Sequence, residues 1–260
     1  MGTASAVAIA GAPGVASGQL GPLVAFDQGT GALVSIDPAT GAVTSSVTVA
    51  SPHVSGLTFD SATNTLFGVD TITDNLITID AITGAVTTIG PTGFDNLRSL
   101  AVDPFSGDLF AVDISGGDPL VRIDRTTGQG TLVGFTGIAT TAGLAFDPFS
   151  GDLFALDASI GRLFSIDPLT ASATPIGLTG VDAINGLAFS PSGTLYGATT
   201  TDFFMGPRPD VLVTIDTSTG LASVVGSTGL AEVRSLAYIP APGALSVIGI
   251  GAVVCSRRRR

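Results

Sequence analysis

Five copies of one short pattern fill this chain, and this repeat constrains the fold more than any other feature of the sequence. Each copy ends an apolar run with an Ile-Asp pair, and these aspartates are Asp37, Asp80, Asp124, Asp167 and Asp216. Their spacings are 43, 44, 43 and 49 residues. A second marker has the same four spacings and consists of Leu57, Leu100, Leu144, Leu187 and Leu236. Two markers in one register indicate a true repeat, and a period in the low forties built from short strands predicts four-stranded propeller blades.

Each period contains four short strands, which we call A to D. In the fourth copy they are predicted at Gly143–Asp147, Asp152–Asp157, Arg162–Asp167 and Ala173–Gly177. Strands A and B are joined by Asp-Pro-Phe-Ser-Gly, and strands C and D by variants of Asp-Pro-x-Thr-Gly. Asp begins such a turn by accepting backbone hydrogen bonds, Pro fixes φ, and Gly takes the left-handed position. The repeat is therefore predicted to be an antiparallel meander.

The two ends of the repeat array complement each other. The first copy begins directly with a strand B at residues 22–27, and a strand A without a following copy lies at residues 235–239. A strand from the C-terminal end would complete the first blade and close the ring without an exposed edge. The sequence therefore predicts an all-β, five-bladed propeller over residues 22–239.

The strand motifs x-Leu-Phe-x-x-Asp and Leu-x-x-Ile-Asp-Pro-x-Thr-Gly recur along most of the chain. They resemble the repeats of secreted bacterial propellers of the quinoprotein-like and YVTN-like kind. The resemblance implies an architecture rather than an activity, because propellers support binding, scaffolding and several chemistries.

The charge of the chain is sparse and strongly acidic. It has no lysine, its formal net charge is −11, and four of its ten arginines are the last four residues. Without these four, the formal charge is −15 (6 basic against 21 acidic residues). Such a surface repels nucleic acid and anionic lipid, so neither is expected as a partner of the main body. The single cysteine, Cys255, excludes a disulfide within the chain.

Both termini carry candidate targeting segments. Residues 1–17 contain a short apolar stretch and small residues, which predicts a secretory signal peptide or, alternatively, a flexible tail. Residues 240–260 begin with Pro240-Ala241-Pro242, continue with an apolar run and end with Arg257, Arg258, Arg259 and Arg260. This tripartite order resembles the PEP-CTERM sorting signal, with Ala241 where that family has Glu. The resemblance implies processing by an exosortase-type enzyme, a transient transmembrane helix and a secreted or cell-surface location. A C-terminal strand or tail-anchor helix is the alternative.

The two faces of the predicted disc differ in their residues. The first face, formed by the A–B and C–D turns, carries the repeated aspartates, which we interpret as turn caps. No cofactor is predicted, and calcium held by these turns is the alternative. The second face, formed by the B–C and D–A loops, carries residues that do not repeat, and the 49-residue spacing places an enlarged B–C loop at residues 199–210. The predicted binding residues of this face are Asp95, Arg98, Asp182, Phe203, Phe204, Arg208, Glu232 and Arg234.

The arginines of this face have two interpretations. Arg98 and Arg234 directly precede predicted A strands, the innermost strands, and are expected to flank the mouth of the central channel. Alternatively, Arg98 pairs with Asp95, and Arg234 with Glu232, as ordinary surface ion pairs.

Catalytic signatures are scarce. With one His, one Glu and no Trp, the chain offers no histidine cluster for a metal and no signature of a nucleophile. We therefore expect a non-catalytic interaction or matrix module, with exopolysaccharide or other surface proteins as partners. The alternative is an extracellular hydrolase of a polysaccharide or lactone that uses Asp95, Asp182 and Glu232 at the channel mouth.

Overall fold

The computed structural model describes residues 22–51, 53–200, 210–230 and 232–240. These residues form twenty short strands. In chain order the strands are β1 (Leu23–Asp27), β2 (Ala32–Ile36), β3 (Val43–Thr48), β4 (Val54–Asp60), β5 (Thr65–Asp70), β6 (Asn75–Ile79), β7 (Val86–Pro91), β8 (Leu97–Val102), β9 (Leu109–Asp113), β10 (Pro119–Ile123), β11 (Gly130–Phe135), β12 (Thr141–Phe146), β13 (Leu153–Asp157), β14 (Arg162–Ile166), β15 (Ala173–Leu178), β16 (Ile184–Phe189), β17 (Leu195–Thr199), β18 (Val211–Ile215), β19 (Ala222–Ser227) and β20 (Val233–Tyr238).

The strands form five antiparallel sheets of four, which confirms the predicted five-bladed propeller. Blades 2 to 5 are the meanders β4–β7, β8–β11, β12–β15 and β16–β19. Blade 1 has the order β20-β1-β2-β3, so the last strand of the chain is its innermost strand. Leu236 lies opposite Ala25 in this closing pair. The innermost strands β20, β4, β8, β12 and β16 contact one another in a closed ring.

The hydrophobic core lies between neighbouring blades. Strand B is fully buried in blades 1, 3 and 4, whereas the outermost strands β7, β11, β15 and β19 share one half-exposed pattern. Between blades 3 and 4, for example, the Phe110 and Phe146 rings meet with their centroids 5.7 Å apart. Burying such a side chain contributes roughly 1.5–3 kcal/mol. No blade could bury this surface alone, so the closed ring stabilises every blade in it.

The repeated aspartates of the first face cap turns, as the sequence indicates. Asp80 Oδ1 accepts the backbone N–H groups of Ile82 and Thr83, both at 2.8 Å. Asp216 Oδ1 likewise accepts the N–H of Ser218 at 2.8 Å. These hydrogen bonds use the carboxylates within their own turns. The motif therefore forms because a polar side chain satisfies nearby backbone groups that have no partner in a strand.

Candidate functional site

The central channel is closed by the leucines that form the second sequence marker. Leu57, Leu100, Leu144, Leu187 and Leu236 lie on the five innermost strands, and each is at most 4% exposed. The cavity among them has a volume of about 10 Å³. That volume is close to the minimum for one water molecule. The channel is therefore plugged at the level of these leucines, where the space admits about one water molecule.

Above this plug, each innermost strand has a β-bulge. The extra, unpaired residue is Arg98 in β8, Ala142 in β12, Asn185 in β16 and Arg234 in β20. In β4 the extra residue is Gly56, whose φ is +55°. A Cβ atom there would lie 2.9 Å from the backbone nitrogen of Leu100, so only glycine fits. Bulges of this kind re-aim a side chain away from the regular ladder.

The bulges form the mouth of the channel on the second face. The mouth is a cavity of about 60 Å³, lined by Ser55, Arg98, Ile114, Thr140, Thr141, Ala142, Asn185 and Arg234. Ile114 comes from a B–C loop and Thr140 from a D–A loop, which places the cavity on the predicted side of the disc. Arg98 and Arg234 lie inside β8 and β20 rather than just before them, because both strands begin two residues earlier than predicted.

Neither mouth arginine forms an ion pair with any residue in the described ranges. The ion pairs of this part of the chain are Arg122–Asp108 at 2.9 Å and Arg125–Asp60 at 2.8 Å. The alternative pairing of Arg98 with Asp95, and of Arg234 with Glu232, is therefore wrong. Burial lowers the pKa of Arg98, and the nearby charge of Arg234 lowers it further. Both effects arise because two cations share a partly desolvated mouth without a counter-charge.

Several polar atoms at the mouth and just below it also have no hydrogen-bond partner within the described part of the chain. They are Arg234 Nε, Ser99 Oγ, Thr141 Oγ1 and Ser235 Oγ. Ser99, Thr141 and Ser235 are all at least 95% buried. Buried polar groups in folded proteins are nearly always satisfied by protein atoms, ordered water or a ligand. Thr141 lines the mouth, Ser99 and Ser235 line the narrow cavity below it, and Arg234 lines both. These polar atoms indicate a place that water or a ligand fills.

The predicted acidic residues do not line this mouth. Asp95 and Asp182 are exposed and Glu232 is half-buried, and none of the three contributes to the two cavities of the channel. They therefore lie toward the rim of the second face. Phe203, Phe204 and Arg208 lie outside the described residues. So do the N-terminal segment 1–17 and, apart from Pro240, the sorting-signal residues including Pro242 and Arg257–Arg260.

A second acidic group on this face surrounds Asp74, in the turn between β5 and β6. Burial raises the pKa of the Asp74 carboxyl, and the charges of Asp95, Asp113 and Asp70 raise it further. Even so, the described part of the chain contains no group of three His, Cys, Asp or Glu side chains placed to hold a metal ion. In the same ranges, no helix has the length and apolar character needed to cross a membrane.

Sequence reasoning missed a set of hydrogen bonds that connect the loops of the second face. Thr92, Thr136, Thr179 and Thr228 each donate a side-chain hydrogen bond to the carbonyl of the residue 18 positions earlier, which joins the D–A loop to the B–C loop. A Thr-Gly pair that recurs at the start of these D–A loops could have revealed the hydrogen bonds from the sequence.

Two aspartates add contacts between neighbouring blades. Asp118 Oδ2 accepts the N–H of Thr141, and Asp210 Oδ2 accepts the N–H of Val233, both at 3.2 Å. Each carboxylate lies in a B–C loop and holds the start of the next innermost strand. These contacts therefore fix the strands from which Arg234 and the Thr141 hydroxyl reach the mouth.

Comparison with solved structures shows the propeller fold. A chain of a nidogen/laminin complex matches with a TM-score of 0.60 at 17% identity, over 83% of this chain and 81% of that chain. The PQQ-bound aldose sugar dehydrogenase of Streptomyces coelicolor matches with a TM-score of 0.52 at 18% identity, over 71% of both chains. The calcium-binding protein regucalcin of Agrobacterium tumefaciens matches with a TM-score of 0.52 at 16% identity, over 87% of this chain and 80% of that chain.

The protein is a β-propeller. No protein-family model and no curated protein matches the sequence. The three neighbours differ in what their names say they do, and at such low identity the likeness concerns the fold alone. A function therefore has to be argued from the channel mouth itself.

Proposed function

We propose that this propeller is a non-catalytic binding module whose binding surface is the second face. The observation that carries the proposal is the channel mouth, which is polar and cationic, is closed below by leucines and has no carboxylate in its lining. A scaffold with a plugged channel leaves a shallow depression on a broad face. Such a depression suits recognition of a partner, with the variable loops around it supplying specificity.

The hydrolase alternative has less support. Hydrolysis of a glycosidic bond requires two carboxyl groups flanking the bond, roughly 5–10 Å apart. Asp95 and Asp182 are exposed and, like Glu232, lie outside the mouth lining, where they would have to converge on a substrate. The single histidine, His53, is also exposed and meets the side-chain amide of Gln28 at 3.4 Å. This neighbour is not a nucleophile that His53 could activate.

The proposed place of action is outside the cell. The resemblance of residues 240–260 to a PEP-CTERM signal supports sorting by an exosortase-type enzyme, with only this segment contacting the membrane. The apolar stretch within residues 1–17 supports secretion. The acidic main body without lysine is compatible with solubility outside the cell and disfavours nucleic acid as a partner. Exopolysaccharide or other surface proteins are the proposed partners.

The known neighbours are compatible with this proposal without selecting it. The nidogen/laminin complex, by its name, is an assembly of proteins, so this architecture occurs in a protein–protein complex. The sugar dehydrogenase, by its name, acts on sugars. Both classes of partner, proteins and sugars, occur in an extracellular matrix.

Cell fractionation with an internal epitope tag tests the location. A tag in the exposed turn at residues 105–106 leaves both termini free for processing. The wild-type chain should reach the surface or medium without its C-terminal segment. A matched chain with Arg257–Arg260 changed to alanine should be retained uncleaved. Full-length wild-type protein in the cytoplasm would contradict the proposal.

A search for turnover tests the absence of catalysis. The purified protein is incubated with polysaccharide and lactone substrates, beside a variant with Asp95, Asp182 and Glu232 all changed to alanine. We expect no turnover by either protein. Turnover that the triple variant lacks would establish the hydrolase instead.

A further inference from the structure

The channel mouth contains two positive charges in a protein with few basic residues. Only six arginines lie ahead of the terminal four, and there is no lysine. Two of the six, Arg98 and Arg234, are the bulge residues of innermost strands on blades 3 and 1. Carboxylates are abundant in this chain, and Arg122 and Arg125 both pair with one. The two mouth arginines have no such partner among the described residues, although their mutual repulsion opposes their closeness.

The polar groups near the two arginines are hydrogen-bond donors that lack an acceptor among the described residues. Arg234 Nε, Ser99 Oγ, Thr141 Oγ1 and Ser235 Oγ are buried without a partner. Ser99 and Ser235 directly follow the two arginines in β8 and β20, and the other three blades have glycine at that position. At this position a hydroxyl group therefore occurs only on the two blades that carry an arginine, and blade 4 adds the Thr141 hydroxyl in the mouth lining. Guanidinium and hydroxyl donors in such proximity form a typical environment for an oxyanion.

The size of the mouth limits what can enter it. A volume of about 60 Å³ has room for a few water-sized groups of roughly 10–15 Å³ each. The leucine plug prevents deeper entry. Toward the rim, the exposed carboxylates Asp95 and Asp182 repel a long polyanion. These features favour one small anionic group, either free or carried alone on a larger molecule.

We infer that the channel mouth binds a carboxylate, sulfate or phosphate group between Arg98 and Arg234, with the Thr141 hydroxyl as a further donor. The planar guanidinium groups match two oxygens of such a group at once. The bound anion offsets the repulsion of the two cations and offers an acceptor to Arg234 Nε and the Thr141 hydroxyl, which have none among the described residues. This inference rests on the proposed function in taking the second face as the binding surface, and it supplies the ligand class: a free oxyanion or a saccharide with an acidic group.

Binding of radiolabelled sulfate to the full chain, measured by equilibrium dialysis at constant ionic strength in sodium chloride, tests the inference. The variants are Arg98→Gln and Arg234→Gln. The matched control is Arg162→Gln, because Arg162 lies in β14, outside the mouth lining, and forms none of the described ion pairs. We expect one site per chain, unchanged in the control and at least tenfold weaker in each mouth variant. Sulfate should likewise raise the Tm of the wild type and the control only.

Competition identifies the source of the anionic group. Displacement of sulfate by glucuronate, but not by glucose, indicates an acidic sugar, whereas displacement by inorganic phosphate alone indicates a free ion. Absence of sulfate binding to the wild type, or equal binding to Arg98→Gln and Arg234→Gln, would overturn the inference. A surface-located chain that binds no oxyanion rejects this inference alone. A chain that binds sulfate but remains cytoplasmic rejects the proposed location alone.

Discussion

Replacing Gly226 with alanine should test the close backbone contact between blade 5 and blade 1. Gly226 lies in β19, the outer strand of blade 5, against the β2–β3 turn of blade 1. A Cβ atom at residue 226 would lie 2.0 Å from the carbonyl oxygen of Thr40. The new Cβ would collide with a backbone carbonyl, so no side-chain rotation can relieve the clash. The two blades would have to separate at the point where the chain closes on itself.

The magnitude follows from the distance. Ordinary contacts between such atoms are about 3.5 Å, so a Gly226→Ala side chain requires a local shift of more than about 1 Å, which also loosens dispersion contacts at the interface. Overpacking costs typically about 1–3 kcal/mol, and rigid backbone on both sides places this case near the upper end. For a chain of this size, about 3 kcal/mol corresponds to a decrease in Tm of roughly 6–12 °C.

Blade 1 supplies the matched control. Val47 in β3 is the residue equivalent to Gly226, because Val47 lies opposite Leu33 as Gly226 lies opposite Leu212, and the adjacent Thr48 serves as the control. The β3 bulge lies beside Ser35 and Ile36, several residues away. In β19 the register shift falls next to Gly226, between Leu212 and Val213 of the partner strand. Thr48 is exposed, so Thr48→Ala should change stability by less than about 0.5 kcal/mol.

Thermal unfolding followed by circular dichroism measures both variants. We expect a clear drop in Tm for Gly226→Ala and almost none for Thr48→Ala. If the Gly226→Ala protein melted within about 2 °C of the wild type, corresponding to about 0.5–1 kcal/mol, the blades would not be in the backbone contact described above. The reasoning about ring closure at this interface would then be refuted.

Three further predictions concern charge and closure. Burial raises the pKa of the Asp118 carboxyl, so the contribution of Asp118 to stability falls as the pH rises above the ordinary aspartate pKa of about 4. Urea titrations should show Asp118→Asn more stable than the wild type at pH 7. The difference should shrink at pH 4. Turn hydrogen bonds, first from the Thr126 hydroxyl, lower the pKa of Asp124, as turn contacts do at Asp80 and Asp216. The stability from these turns is therefore present above about pH 4 and lost as the pH falls below it; a wild-type Tm that did not decrease from pH 5 to pH 3 would argue against this. A chain of residues 1–232, which lacks β20, should fail to give a cooperative transition, whereas residues 1–240 should retain one; equal melting of the two chains would contradict closure by β20.

The position of the arginines shows how far sequence reasoning reached toward the candidate site. The repeat register placed Arg98 and Arg234 near the channel mouth, and the structure has both in its lining. The hydrolase alternative required Asp95, Asp182 and Glu232 to meet at the channel mouth, and they do not line it. The difference arises because loop residues can point in many directions, whereas a bulge in an innermost strand is held by the ladder on both sides.

The sequence by itself determined the blade count, the strand order, the closing strand and the turn caps. These features depend on local physics: a period of strands and turns, and aspartates such as Asp80 that bond to N–H groups two and three residues ahead. Only the tertiary structure decided that a ring of leucines plugs the channel and that Arg98 and Arg234 lack ion-pair partners among the described residues. Those facts depend on which blades become neighbours across the ring and on where each bulge turns its extra residue. No local spacing in the sequence records them.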